Sequence, residues 1–316
     1  MPACLVTKAV ASGMLLIMTA VWLLGLAPFD RHTALVGNGV ALALLAITTV
    51  LLVADLERPE RLLRILTRPQ WKSWYTRGAF ILISFSLVCT LWFALELGAQ
   101  QGWLPEGVAV SARIPLMALG LPLALLTAIY TAFHFQQREG RDLWRSKLMP
   151  WHMAVQAVMA GAAVGAALAG LTGSVTELVI VAITFLVASV ADLLLRITEV
   201  NHAHTTSHGR NAAWLVRHGG LPTIWKASVA LGAIAGVAML ALSVGILTWL
   251  TGVLIVAADG SDEIFSDTIS SRLSMMIATL ISIAPWVTTT AAFLSLIGLF
   301  LYNTAIFSSG QDVPNA

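Results

Sequence analysis

Asp192 and Arg196 stand four residues apart in the otherwise apolar stretch Phe185–Ile197. On a helix that spacing puts carboxylate and guanidinium on one face. Inside hydrocarbon such groups are costly, about 2.5–3.5 kcal/mol each on insertion scales, which makes them candidates for function. A rise of 1.5 Å per residue sets Asp192 roughly 10 Å inside the apolar run. Two readings are open: an ion pair that fastens helices together, or a proton relay through Asp192. A second constellation is Tyr130-Thr131-Ala132-Phe133-His134, where a phenol and an imidazole share a helix face at i,i+4. They could supply donors for the two carbonyls of a quinone headgroup and a group that exchanges a proton near neutral pH. The competing reading is an aromatic belt at a membrane surface. Glu96, near the end of another apolar run, reads as a solvated carboxylate.

The elements that must position these groups follow from composition. The 316 residues are 58% hydrophobic and 11% charged, with a mean hydropathy of +0.85, against about 25% charged in an ordinary soluble domain. That points to an all-α integral membrane protein. Net charge is +2 with no long basic run, which argues against nucleic acid as a partner. Apolar segments of about 20 residues fall at 8–27, 33–54, 76–97, 113–135, 152–171, 175–198, 224–256 and 274–307. These are eight spans in one membrane domain over 1–316, naturally divided into two four-helix bundles. The first segment exceeds the hydrophobic core of a signal peptide and reads as a retained span.

With eight spans, both termini and the loops near 55–75, 136–151 and 199–223 share one face. Every Lys and Arg except Arg31, Arg113 and Arg272 lies on or beside that face, fifteen against three. The positive-inside rule places it, with both termini, in the cytoplasm, as expected in a bacterial or archaeal inner membrane. Cys4 and Cys89 give neither a disulfide framework nor a CxxC metal site. An iron–sulfur cluster would therefore belong to another subunit. His134, His152, His202, His204, His208 and His218 gather near the basic face, and His32 lies opposite. No facing pair of the kind that ligates haem is evident, so neither haem nor a metal is expected, and 202–208 reads as a solvated loop.

Asp55-Leu56-Glu57-Arg58-Pro59-Glu60-Arg61, then Ser73-Trp74 and Arg77-Gly78-Ala79, form the most specific pattern in the chain. They resemble the NrfD/PsrC family, the membrane subunits of polysulfide-reductase-type complexes, with D-L-G-R-P-x-R followed by Ser-Trp-x-x-x-Gly. Glu57 departs from the family's usual Gly. Weaker likenesses follow in order: Tyr130-Thr131, Trp144, Leu148-Met149-Pro150 with Gly161 and Gly165, and Gly219-Gly220-Leu221-Pro222. The resemblance implies a cofactor-free bundle that holds a quinone, menaquinone or ubiquinone, near a ferredoxin-like iron–sulfur subunit. That subunit exchanges electrons with a catalytic subunit, commonly of the molybdopterin type, here on the cytoplasmic face. Tyr130, His134 and Lys8 would contact the quinone. Lys8 stands where some members carry a polar or His residue, and its alternative reading is a lysine snorkelling to the surface. Asp55, Arg58, Arg61, Trp74 and Arg77 would order the loop and the partner interface. The four-residue spacings Gly161/Gly165 and Gly232/Gly236 suit close helix contacts.

Two further functions are weighed against the quinone module. A structural anchor would lack a site of its own. A secondary transporter would carry matched broken helices near mid-membrane; Pro115, Pro122 and Pro285 interrupt apolar runs, but no matched pair of half-helices is seen.

Overall fold

The computed structural model describes residues 1–55, 67–137, 144, 146–172, 175–201, 207–258 and 263–312. The described residues form helices and the turns between them. In chain order these are α1 (Pro2–Leu23), α2 (Arg31–Ala54), α3 (Trp74–Gln100), α4 (Glu106–Gln136), α5 (Met149–Thr172), α6 (Val175–Asn201), α7 (Ser207–His218), α8 (Pro222–Ala258) and α9 (Glu263–Asp312). Eight of them are long and apolar enough to cross a membrane, since a helix pairs its own backbone polar groups where no water can. The chain is thus a multi-pass membrane protein.

Local chemistry sets the helix ends. Pro2 opens α1 at a position that needs no backbone N–H. Past its end, Gly25 adopts φ 65°, which glycine reaches without a steric penalty. Asp30 caps α2 by accepting from the Thr33 backbone N–H at 2.7 Å. Ser73 caps α3 by accepting from the Tyr75 N–H at 3.3 Å.

The observed first span, Pro2–Leu23, starts six residues before the expected 8–27, because Lys8 does not interrupt the helix but is buried within it. The 199–223 segment, expected to be a loop, contains α7. Ala212, Ala213 and Val216 are buried on one side of α7, and Trp214 is exposed on the other. This is the pattern of a helix lying along a surface.

α1 packs on α2, α4 and α5, and α3 packs on α2 and α4; α5 and α6 pack together, as do α8 and α9, with further contacts of α6 on α8 and α5 on α9. The division into two bundles is not drawn sharply by this packing, because α1 is fastened to α5 as closely as to α2. The crossing of α1 and α5 is a backbone contact. A methyl group added at Gly13 would lie 1.7 Å from the Ala157 carbonyl oxygen, and one at Gly161 would lie 2.1 Å from the Gly13 carbonyl carbon. Around it lie Ala157, Ala160, Ala163 and Ala166 of α5, all buried. Small residues let helices approach where lipid supplies no hydrophobic drive for association. Gly298 of α9 plays a similar part against Ser228 and Gly232 of α8.

Candidate functional site

Two buried polar clusters lie at the end of the bundle that carries the chain termini, on either side of the first turns of α5. The first is built by α1, α3 and α4. Lys8 is 2% exposed, and its Nζ donates to the Ala128 carbonyl at 3.1 Å and to the Thr131 hydroxyl. The same ammonium lies 4.6 Å from the centre of the Tyr130 ring, a cation–π distance. Lys8 makes no ion pair with a carboxylate among the described residues, so carbonyl, hydroxyl and ring face must compensate its charge. The snorkelling reading of Lys8 is therefore corrected: the stem is packed among helices and does not reach water.

The Tyr130 ring lies against Gly78, where a methyl group would meet the ring at 2.3 Å. The glycine of the Ser-Trp-x-x-x-Gly pattern thus makes room for this tyrosine. The Tyr130 hydroxyl is buried without a hydrogen-bond partner among the described residues. His134, half-buried one turn along α4, packs its ring 5.5 Å from that of Tyr75 on α3. Thr131 donates onward to the Met153 sulfur at 3.1 Å, linking this cluster to the first turns of α5.

The second cluster is more highly charged. His152 of α5 is 1% exposed. Its Nδ1 lies 2.8 Å from Glu199 Oε2 and its Nε2 3.1 Å from Asp192 Oδ1, both carboxylates belonging to α6. Asp192 Oδ2 pairs with Arg196 Nε at 2.6 Å. Arg196 also donates from Nη1 to the carbonyls of Ser228 on α8 at 3.1 Å and Gly298 on α9 at 3.3 Å. Tyr302 of α9 donates to Glu199 Oε2 and lies 3.3 Å from His152 Nδ1. The Gln156 amide nitrogen lies 3.1 Å from His152 Nε2. Asp192, Arg196, Glu199 and Tyr302 are each 3% exposed or less. In this cluster each charged side chain faces a group of opposite charge at hydrogen-bond distance, which offsets the cost of its burial.

Several sequence expectations change here. Lys8 and Arg196, counted with the surface cations, are buried. His152, grouped with the interfacial histidines, is the centre of the second cluster. Glu199 and Tyr302 were not singled out. Glu199 carried a signal, since Asp192, Arg196 and Glu199 form an i, i+4, i+7 stripe on one helix face. Tyr302 carried none, standing 150 residues from His152.

At the same end, the Met1 ammonium pairs with Asp55 at 2.9 Å. Trp74 stacks on Phe133 at 4.5 Å, the Arg77 guanidinium lies 4.9 Å from the Trp74 ring, and Arg77 Nε donates to the Trp71 carbonyl at 2.6 Å. Gln137 closes the turn by accepting from the Trp74 N–H at 3.1 Å and donating to the Lys72 carbonyl at 3.3 Å. Arg58 and Arg61 lie outside the described residues, as does most of the 202–208 loop.

At the opposite end, Glu96 is 1% exposed, not solvated as expected. It accepts from Arg31 Nε at 3.0 Å and from Arg113 at 2.7 and 3.0 Å. Arg31 also pairs with Glu106, and the Arg113 guanidinium covers the Phe29 ring at 3.5 Å.

Comparison with curated proteins returns no match. The family described as polysulphide reductase, NrfD, matches residues 4–258. The match takes in the Lys8–Tyr130 cluster and the α5 and α6 members of the charged one, while Tyr302 lies beyond it. With most of its length so matched, the chain belongs to the NrfD family of polysulphide reductase membrane subunits.

Proposed function

We propose that this chain is the subunit through which a membrane quinone exchanges electrons with an iron–sulfur partner. NrfD proteins are membrane subunits of oxidoreductase complexes, and a membrane-anchoring role fits the eight spans. The observation that carries the quinone reading is the pairing of two under-used buried donors. Among the described residues the Tyr130 hydroxyl has no partner and the Lys8 ammonium beside it faces no carboxylate. A buried donor left unsatisfied costs about 1–3 kcal/mol, and a headgroup carbonyl arriving between them would relieve that cost. His134, one turn nearer the surface, would exchange the proton that accompanies reduction. Asp192 would relay protons in the charged cluster.

The partner would dock on the terminal face, where Asp55, Trp74 and Arg77 lie at or near the surface of the ordered turn. The basic asymmetry of the sequence supports a cytoplasmic position for that face, and the partner there would be ferredoxin-like, passing electrons to or from a molybdopterin catalytic subunit.

The test uses the purified full chain in lipid nanodiscs, titrated with a short-chain ubiquinone and a short-chain menaquinone. Tight binding of one of them that falls at least tenfold in Lys8→Met supports the site. Binding of neither, or binding indifferent to Lys8→Met and Tyr130→Phe, leaves the chain a structural anchor. A C-terminal alkaline phosphatase fusion should be inactive; activity in the periplasm would reverse the proposed orientation.

A further inference from the structure

The charged cluster does more than offset its own burial. An ion pair that merely fastens α6 to its neighbours needs one carboxylate and one cation, and Asp192 with Arg196 already supplies that. Here a histidine is placed so that each ring nitrogen faces a different carboxylate, Nδ1 toward Glu199 at 2.8 Å and Nε2 toward Asp192 at 3.1 Å. A neutral imidazole has one N–H and one bare nitrogen, so it can donate to only one of them. Both contacts are satisfied together only if the ring carries two protons or if one carboxylate carries the second.

The charge count leads to the same two forms. Imidazolium with two carboxylates and Arg196 sums to zero. Neutral His152 with one protonated carboxyl also sums to zero. They differ only in where one proton resides, on His152 or on a neighbouring oxygen, and neither leaves net charge in the dry interior.

The neighbours suit both forms. Gln156 can turn either its amide oxygen or its amide NH2 toward Nε2. The Tyr302 hydroxyl lies within reach of both Glu199 Oε2 and His152 Nδ1. Arg196 is the fixed member, held by Asp192 and by carbonyls of α8 and α9, and a guanidinium does not give up its proton in a protein.

We propose that His152, Glu199, Asp192 and Tyr302, pinned by Arg196, form one proton-holding site that stores an exchangeable proton across Glu199, His152 and Asp192. Glu199 is the entrance. It lies two residues from the end of α6, and its Oε1 has no hydrogen-bond partner among the described residues. Asp192 lies seven residues deeper, roughly 10 Å along the helix axis. A proton taken by Glu199 passes to His152 Nδ1 as the proton on Nε2 passes to Asp192. One proton enters, one moves inward, and the ring need not rotate. The site extends the relay reading of Asp192, and Tyr302 comes from α9, beyond the residues matched to the family. It shares no side chain with the Lys8–Tyr130 cluster.

Infrared difference spectra of the full chain in nanodiscs, recorded as pH is stepped, read the site directly. In the wild type a carboxylic-acid C=O band should grow in step with a change in the imidazole ring modes. Glu199→Gln should abolish that band. Tyr302→Phe, which keeps size and packing, should move the share of the band carried by Glu199 to higher frequency by removing one hydrogen bond, and Asp192→Asn should remove the share carried by Asp192. Tyr130→Phe should leave it unchanged, so a failure of the quinone site is read separately. A wild-type spectrum without a protonating buried carboxyl overturns the proposal, as does a band that both Tyr302→Phe and Asp192→Asn leave in place.

Discussion

The charged groups at the two ends of the bundle have the same arithmetic and opposite chemistry. At the end away from the termini, Glu96 and Glu106 face Arg31 and Arg113. At the terminal end, Asp192 and Glu199 face Arg196 and His152. Each set has two acids and two bases. In the first, both bases are guanidiniums, which never release a proton, so the set can only hold α2, α3 and α4 together. In the second, one base is an imidazole between two carboxylates, and a proton can move. Burial differs as well: the Arg31 and Arg113 side chains are 28% and 15% exposed, whereas every charged member of the terminal set is almost fully enclosed. Solvent can screen the first set but not the second.

The largest effect should come from removing the fixed cation. Arg196→Leu leaves Asp192 beside His152 with no permanent positive charge, and breaking a buried pair on one side costs about 3–5 kcal/mol. Arg113→Leu should cost far less, since Arg31 still holds Glu96 and water reaches the site. Thermal unfolding of the two variants in one detergent checks this. Equal losses would show that burial does not separate the two clusters.

A smaller effect separates clamp from relay by function. Glu96→Gln and Glu199→Gln make the same change, from carboxylate to amide, at two buried positions. Each weakens a charge-assisted hydrogen bond, at about 1–3 kcal/mol. Glu96→Gln should lower the midpoint of thermal unfolding and leave the pH profile of quinone-linked turnover as in the wild type. Glu199→Gln should alter that profile, because an amide cannot take up the proton that the proposed site passes to His152. Altered profiles in both variants, or in neither, would erase the distinction.

The eight spans were legible because apolar runs of that length have few other uses. Helix α7 was not, because its 12 residues mix Arg, His and Asn with a short apolar face, and local polarity reads as a loop. In the terminal cluster, Asp192–Arg196 was visible as an i,i+4 pair inside one helix. Glu199 was lost by ending that span at 198, and His152 by treating a first-turn histidine as interfacial. Tyr302 and the partners of Glu96 were out of reach for a different reason. Arg31 and Glu96 are 65 residues apart, and only packing brings such groups together. Spacing finds what one helix presents; it does not find what a neighbouring helix brings to meet it.

The smallest expected effect concerns Tyr130, and it sharpens the comparison by adding a buried polar group with no partner among the described residues. Every charged side chain of the two clusters has at least one polar partner, although single atoms such as Glu199 Oε1 are left over, while the Tyr130 hydroxyl has none among the described residues. Removing it in Tyr130→Phe preserves the ring that packs on Gly78 and covers Lys8. Thermal stability without quinone should be unchanged or slightly raised, because an unsatisfied donor is no longer buried. Quinone binding should weaken several-fold, matching the roughly 0.5–1.5 kcal/mol of one neutral hydrogen bond, with a larger loss in turnover if that bond strengthens as negative charge develops on the carbonyl. The measurement compares quinone-linked turnover of the assembled complex with turnover through an artificial electron carrier that bypasses the membrane subunit. A loss confined to the quinone-linked rate assigns the hydroxyl to the headgroup. A destabilised variant would mean that the hydroxyl already has a partner, a bound water for example, and equal rates by both routes would return Tyr130 to a packing role beside Lys8.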